Sequence, residues 1–188
     1  MKQKPIQIII LFLLLICGTI RADEDYQYVN QVEMITLEDI ELAFGVKAKG
    51  KVILKNDGVL YPSTGFYHRE YKYIDVSGLM IGNELILCGS TLEAKSTIDS
   101  YIRGVEGSMK ESGSKFIKLD VKDESISMYH VLNDTSQVTG MLFFKLNENT
   151  IYKLWLSGVY FESYKQLQTV FGKKINKIVS ANHAGENV

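Results

Sequence analysis

Cysteine, basic clusters and long apolar runs are scarce in this sequence, and each scarcity excludes a class of protein. Only two cysteines, Cys17 and Cys88, occur among the 188 residues. Lysine and arginine nearly balance aspartate and glutamate, 21 against 22, and form no basic cluster, which argues against nucleic acid as a partner. The apolar run at residues 8–16 is shorter than the roughly 20 residues that a membrane-spanning helix needs.

The first 22 residues differ in kind from the rest of the chain. Lys2 and Lys4 precede the apolar run, and the segment ends at the small residue Ala22, directly before three acidic residues. A basic region, an apolar region and a small residue in this order are typical of a secretory signal peptide. We therefore expect an exported protein, periplasmic or secreted, that is cleaved near Ala22 and has no stable membrane span in the mature chain.

Cleavage there would change both the charge and the cysteine count. Residues 1–22 contain three basic and no acidic residues, so the formal net charge would change from −1 to −4. Cys88 alone would remain, and one cysteine cannot form an intramolecular disulfide. Lipid attachment at Cys17 is the less favoured alternative, because the bulky Ile16 precedes it where a lipoprotein signal requires a small residue.

The remaining chain has the length of a single domain. Residues 23–45 form an N-terminal segment, in which Thr36–Gly45 has the capping pattern of a short helix. Residues 46–181 are expected to form one α+β domain, and residues 182–188 a flexible polar tail.

Alternating hydrophobicity predicts strands in the first part of the domain. A hairpin is expected around 51–61, because the turn signal Asn56-Asp57-Gly58 separates two short apolar stretches. Residues 67–76 and 79–88 alternate as well. Ser90 then has the spacing of a helix cap, and apolar residues at helical intervals follow it as far as Gly113.

The second part predicts four strands and a closing helix. The strand candidates 116–121, 126–132, 138–146 and 150–156 are joined by short connections, which require antiparallel neighbours. Helical spacing returns between Phe161 and Ile178. The predicted fold is therefore α+β: an antiparallel sheet of six to seven strands, with a helix between the N-terminal strands and a four-stranded meander, and a C-terminal helix that completes a sandwich.

No motif predicts catalysis, a metal site or a cofactor. The chain has no HExxH, GxSxG or phosphate-binding loop. Its histidines, His68, His130 and His183, show no pair with metal-ligand spacing. Cys88 ends an aliphatic stretch, which favours a small buried side chain over a nucleophile. Asn133-Asp134-Thr135 fits a glycosylation sequon.

Tyrosine gives the best candidate for a binding site. Among 11 tyrosines, Tyr67, Tyr71 and Tyr73 have the same parity in one predicted strand, with Arg69 between them, so they would share one face. Tyr67, Arg69, Tyr71 and Tyr73 could recognise a peptide, a glycan or a protein partner. The alternative is that these tyrosines only fill an amphipathic sheet.

The segment Asn56–Pro62, the helix 92–112 and the stretch Ile151–Gly158 leading into a closing helix together resemble the PsbP-like fold, which includes the bacterial DcrB-type lipoproteins. The resemblance extends from about Lys51 to Ser180 and transfers no functional residue. It implies a non-enzymatic exported domain that docks onto a larger assembly or an envelope component.

Two hypotheses of function follow. The first is an exported binding or accessory domain that docks onto an unknown protein or envelope partner. The alternative is a cystatin- or NTF2-like protein that binds a small molecule or lipid, or a hydrolase, with a pocket in a curved sheet. Met128, Phe143 or Trp155 would line that pocket, and Tyr129 or His130 would face it.

Overall fold

The computed structural model describes residues 32–49, 51–60 and 67–180. The expected signal peptide, Cys17 and the expected tail lie outside these residues. The elements in chain order are α1 Leu37–Phe44, β1 Val52–Leu60, β2 Tyr67–Asp75, β3 Met80–Leu87, α2 Thr91–Glu111, β4 Lys115–Lys118, β5 Ile126–Leu132, β6 Val138–Asn147, β7 Thr150–Ser157 and α3 Tyr164–Ser180. None of the helices in these ranges is long and apolar enough to cross a bilayer.

The seven strands form one antiparallel sheet in the order β1-β2-β3-β7-β6-β5-β4. The sheet thus consists of an N-terminal meander, β1 to β3, and a C-terminal meander, β4 to β7, joined where β3 pairs with β7. The predicted fold class is confirmed, including the four-stranded meander and the C-terminal helix.

Helices cover both faces of the sheet. On one face, α1 and α3 bury a core that includes Ile40, Phe143, Leu154 and Phe171. On the other face, α2 packs against β4, β6 and β7 over a smaller core around Leu142. Because strand residues alternate between the faces, β5, β6 and β7 contribute buried residues to both cores.

Local signals account for the helix ends. The Ser90 hydroxyl caps α2 by accepting a hydrogen bond from the backbone N–H of Glu93, 3.2 Å away. Asp39 accepts a hydrogen bond of 2.8 Å from the backbone N–H of Thr36 at the start of α1. Gly45 then ends α1 in the left-handed conformation, with φ of 62°, which glycine adopts without steric cost.

The predicted turn at Asn56-Asp57-Gly58 is wrong. These residues continue β1 and pair with Lys72, Tyr71 and Glu70 of β2. Eight residues of β1 pair with β2, so the gain from tertiary pairing outweighs the local preference of Asn-Asp-Gly for a turn.

Candidate functional site

The four residues proposed from sequence lie on β2, and Arg69, Tyr71 and Tyr73 share the face that α1 and α3 cover. Tyr71 and Tyr73 are only 3% and 2% exposed. The hydroxyl of Tyr71 accepts a hydrogen bond of 3.0 Å from the backbone N–H of Leu37 in α1, and the hydroxyl of Tyr73 donates to Asp75 at 3.3 Å. Burial raises the pKa of both phenols, because it disfavours the charged form.

The remaining two members, Tyr67 and Arg69, lie at the beginning of β2. Arg69 forms an ion pair of 2.7 Å with Asp57 of β1, and the side chain of Tyr67 is outside the described part of the structure. The expected recognition surface is therefore closed at Tyr71 and Tyr73, because the N-terminal segment and α1 pack over them. Binding through this group stays a prediction.

The opposite face of β2 carries a charged group that the sequence analysis did not bring together. We call His68, Glu70, Glu84 and Lys153 the Glu84 cluster. In the strand register, Glu70 on β2 lies opposite Glu84 on β3, and Glu84 lies opposite Lys153 on β7. Two carboxylates and one ammonium group thus form a row across three strands, and His68 lies two residues before Glu70 on the same face.

Lys153 is the most deeply buried charge of the Glu84 cluster. It is 2% exposed, its Nζ atom forms an ion pair with Oε1 of Glu84, and it donates a 2.7 Å hydrogen bond to the hydroxyl of Tyr101 in α2. The same Nζ atom lies 3.9 Å from the centre of the Tyr101 ring, a cation–π distance. The helix therefore helps to hold this charge beneath it.

Glu84 has a strongly perturbed carboxyl group. Burial alone would raise its pKa, but the neighbouring His68 imidazole and the charge of Lys153 outweigh that effect and lower the pKa to about 2. Oε2 of Glu84 lies 3.3 Å from Nε2 of His68. Glu84 is thus an anion at any physiological pH, with one oxygen facing Lys153 and the other facing His68.

A single imidazole nitrogen and two carboxylates converge in this cluster. Ligand atoms of His68, Glu70 and Glu84 lie within 4.8 Å of one another. Nε2 of His68 is buried but has no hydrogen-bond partner of acceptable geometry among the described residues. Lys72 lies 3.4 Å from Glu70. The sequence analysis looked only for pairs of histidines and therefore missed this group. The spacing of His68 and Glu70, two residues apart in one predicted strand, could have indicated that these two side chains share a face.

A second surface feature lies at the β1 edge of the sheet. Within the described residues, β1 pairs with β2 only. Its first three side chains, Val52, Ile53 and Leu54, are 46%, 64% and 39% exposed, and Val76 beside them is 60% exposed. The backbone N–H of Val76 donates to the carbonyl of Lys51 at 3.1 Å. We call residues 51–55 together with Val76 the β1 patch.

A β-bulge lies within the β1 patch. Val52 pairs with Asp75 and Leu54 with Ile74, so Ile53 has no opposite residue on β2. Such a bulge re-aims side chains and increases local twist. An open cleft of about 560 Å³ lies nearby and is lined by Val46, Lys47, Lys49, Leu79 and Val159, among others.

Three other residues considered from sequence, Cys88, His130 and Asn133, have packing or hydrogen-bonding roles in the structure. Cys88 is buried, and burial raises the pKa of its thiol, which suits a packed side chain rather than a nucleophile. Nε2 of His130 lies 2.9 Å from the carbonyl oxygen of Phe161. Asn133 lies in the β5–β6 turn, where its Oδ1 accepts a hydrogen bond from the backbone N–H of Gln137 at 2.9 Å.

The residues expected to line a pocket are divided between the two cores. Met128 and Phe143 are fully buried under α3, and Trp155 packs on the α2 face. Tyr129 stacks on Phe116, with ring centres 4.6 Å apart. None of these residues lines the open cleft beside the β1 patch, and the pocket hypothesis stays a prediction.

Comparisons with known proteins give no family. Neither the models of known protein families nor the curated proteins include a match. Among solved structures, the extracellular domain of PknH from Mycobacterium tuberculosis is similar over 77% of this chain and 92% of that chain, with 8% identity and a TM-score of 0.43. This likeness is too low to carry an argument about function.

Proposed function

We propose that this protein is an exported, non-enzymatic binding domain that docks onto a protein partner through the β1 patch. An extended acidic segment of the partner would lie along the free edge of β1, with its apolar side chains on Val52, Ile53 and Leu54. The PsbP-like resemblance and the signal-like N-terminus support the exported and accessory parts of this proposal.

The observation that carries the proposal is the exposed aliphatic edge. Soluble proteins usually protect an edge strand with charges, proline or a covering element, because its free backbone groups invite another strand. β1 has flanking lysines and a bulge, which protect such an edge, yet the three consecutive aliphatic side chains between the lysines are exposed. Strand addition is a common mode of peptide recognition, in which backbone hydrogen bonds supply affinity and side-chain contacts supply specificity.

The charge around the β1 patch determines the chemistry of the partner. Lys47, Lys49, Lys51 and Lys55 are exposed, and no acidic residue occurs between positions 47 and 55. These lysines are separated by other residues and are not a continuous basic run, but together they make the rim of the apolar side chains locally basic, which attracts an acidic segment and repels a basic one. The nearby cleft, with Val46, Leu79 and Val159 in its lining, offers space for one apolar side chain of that segment.

The test is site-specific photo-crosslinking in the native secreted and envelope fractions. A photoreactive residue replaces Ile53, and the matched control replaces Val170 of α3, which is also an exposed aliphatic residue at 46%. We expect an adduct from position 53 that maps to an extended acidic segment of one protein. The adduct should disappear when Lys51→Glu and Lys55→Glu are combined, and a synthetic peptide of the mapped segment should compete for it.

Three results would contradict the proposal. Equal adducts at positions 53 and 170 would indicate random contact. An adduct between two copies of this chain would assign the β1 patch to self-association. An adduct that survives the lysine substitutions would remove the charge argument for an acidic partner.

A further inference from the structure

We propose that His68, Glu70 and Glu84 bind one divalent transition-metal ion of the zinc type. The ligands would be Nε2 of His68, Oε2 of Glu84 and one carboxylate oxygen of Glu70, with water completing the coordination. This site is separate from the β1 patch, and the proposal does not depend on the docking function.

The distances fit such an ion. Zinc lies about 2.0–2.2 Å from imidazole nitrogen and carboxylate oxygen, so two ligands at a tetrahedral angle are roughly 3.4 Å apart. Nε2 of His68 and Oε2 of Glu84 are 3.3 Å apart, and the ligand atoms of the three residues all lie within 4.8 Å of one another. A small inward movement of Glu70 would complete three ligands.

The placement of charge also points to a cation between the two strands. Glu70 and Glu84 are directly opposite each other on β2 and β3, and like charges at opposite positions destabilise a strand pair. Lys153 pairs with Oε1 of Glu84 on the side away from His68. Lys72 likewise pairs with Oε1 of Glu70. The oxygen left for another cation is therefore Oε2 of Glu84, which faces His68.

The surroundings of the three ligands resemble those of a supported metal site. Ligating carboxylates are usually held by a hydrogen bond to their other oxygen, and Lys153, itself held by Tyr101, does this for Glu84. The buried Nε2 atom of His68 forms no hydrogen bond of acceptable geometry in the described part of the chain and has only the 3.3 Å contact with Oε2 of Glu84, so a metal between the two atoms would satisfy both. Lys72, which lies 3.4 Å from Glu70, has a side chain that is 35% exposed and can turn to solvent when the ion enters.

Nitrogen in the ligand set selects the type of ion. Imidazole suits zinc, cobalt, nickel and copper, whereas magnesium and calcium prefer ligand sets made only of oxygen. We therefore expect Zn²⁺ and Co²⁺ to bind and Mg²⁺ not to bind.

The experiment is isothermal titration of the chelator-treated full chain with Zn²⁺ and separately with Mg²⁺, supported by thermal unfolding and Co²⁺ absorption spectra. We expect one Zn²⁺ per chain, a higher unfolding temperature with Zn²⁺ and no response to Mg²⁺. His68→Ala and Glu70→Gln should each weaken Zn²⁺ binding by at least about tenfold. The matched control is His130→Ala, which removes a histidine from β5 and should leave the Zn²⁺ affinity unchanged.

Several outcomes would overturn the site. The unaltered chain could give no heat of binding with Zn²⁺. His68→Ala or Glu70→Gln could have the same Zn²⁺ affinity as the unaltered chain. His130→Ala could lose as much Zn²⁺ affinity as His68→Ala does. Circular dichroism shows whether each variant is folded. If His68→Ala does not fold, Glu70→Gln and the stoichiometry of the unaltered chain still decide the question.

Discussion

Replacing Lys153 by methionine tests the electrostatic core of the Glu84 cluster. Methionine keeps most of the length and apolar body of the lysine side chain but removes its charge. Glu84, whose side chain is only 13% exposed, would then lose its direct ion-pair partner. Removing one member of a buried ion pair costs about 3–5 kcal/mol, and we expect Lys153→Met to lower the free energy of unfolding by that amount at neutral pH.

The pKa of Glu84 gives a second value for the contribution of these charges to the free energy of unfolding. Burial raises this pKa, and His68 and Lys153 together outweigh burial and bring it to about 2, against 4.5 for a free glutamate. At 1.36 kcal/mol for each pKa unit, the difference corresponds to about 3 kcal/mol of stability. Because the pKa is lower in the folded state, this stability is fully present above pH 4.5 and is lost as the pH falls from 4.5 through about 2.

The assay is urea unfolding at a series of pH values, with a chelator present, for the unaltered chain, Lys153→Met and Glu84→Gln. The difference between the unaltered chain and Lys153→Met should be largest at neutral pH and should narrow as the pH falls below 4.5, because protonated Glu84 no longer needs the ammonium partner. The control is Glu33→Gln, which removes an exposed ion pair of 3.6 Å with Lys177 and should cost less than about 1 kcal/mol.

The reasoning is refuted if Glu84→Gln has the same dependence of stability on pH as the unaltered chain. It is also refuted if Lys153→Met and Glu33→Gln change the stability at neutral pH by the same small amount.

Two further predictions concern the core that α3 and the N-terminal segment cover. Phe171→Ala should cost about 3–5 kcal/mol, because Phe171 is buried and packs edge-on against Phe161; an unchanged thermal unfolding would contradict its place in the core. Asn83→Ala should cost about 2–4 kcal/mol, because the buried Asn83 amide accepts from the backbone N–H of Ile35 at 3.1 Å and donates to its carbonyl at 2.8 Å. A loss below about 0.5 kcal/mol in urea unfolding, as for an ordinary surface change, would show that water replaces Asn83.

The strands and helices were largely predictable because their signals are local. Ser90 marked the start of α2, and short connections required β4 to β7 to be antiparallel neighbours. The turn at Asn56-Asp57-Gly58 was mispredicted because pairing with β2 is a tertiary effect that no local pattern contains.

The candidate sites depended on relations between distant residues. The shared parity of Tyr71 and Tyr73 was correct, but parity cannot tell which face the N-terminal segment covers. The meeting of His68 and Glu70 with Glu84 depends on the register of β2 against β3 and was not visible in the spacing of histidines. The exposure of Ile53 depends on the edge position of β1 and on its bulge against β2, and no local pattern contains either.

The pairing of β3 with β7 has a consequence for how the chain acquires its structure. Glu84 and Lys153 face each other across this pairing but lie 69 residues apart in the chain. Pairing of β3 with β7 at the centre of the sheet therefore closes a long loop of chain, and contacts between residues so far apart in sequence slow folding. Until β7 has emerged and docked, β3 has only one neighbour and the two meanders remain separate. The molecule thus becomes a single cooperative unit only when β7, the last strand in the sequence, pairs between β3 and β6 at the centre of the sheet.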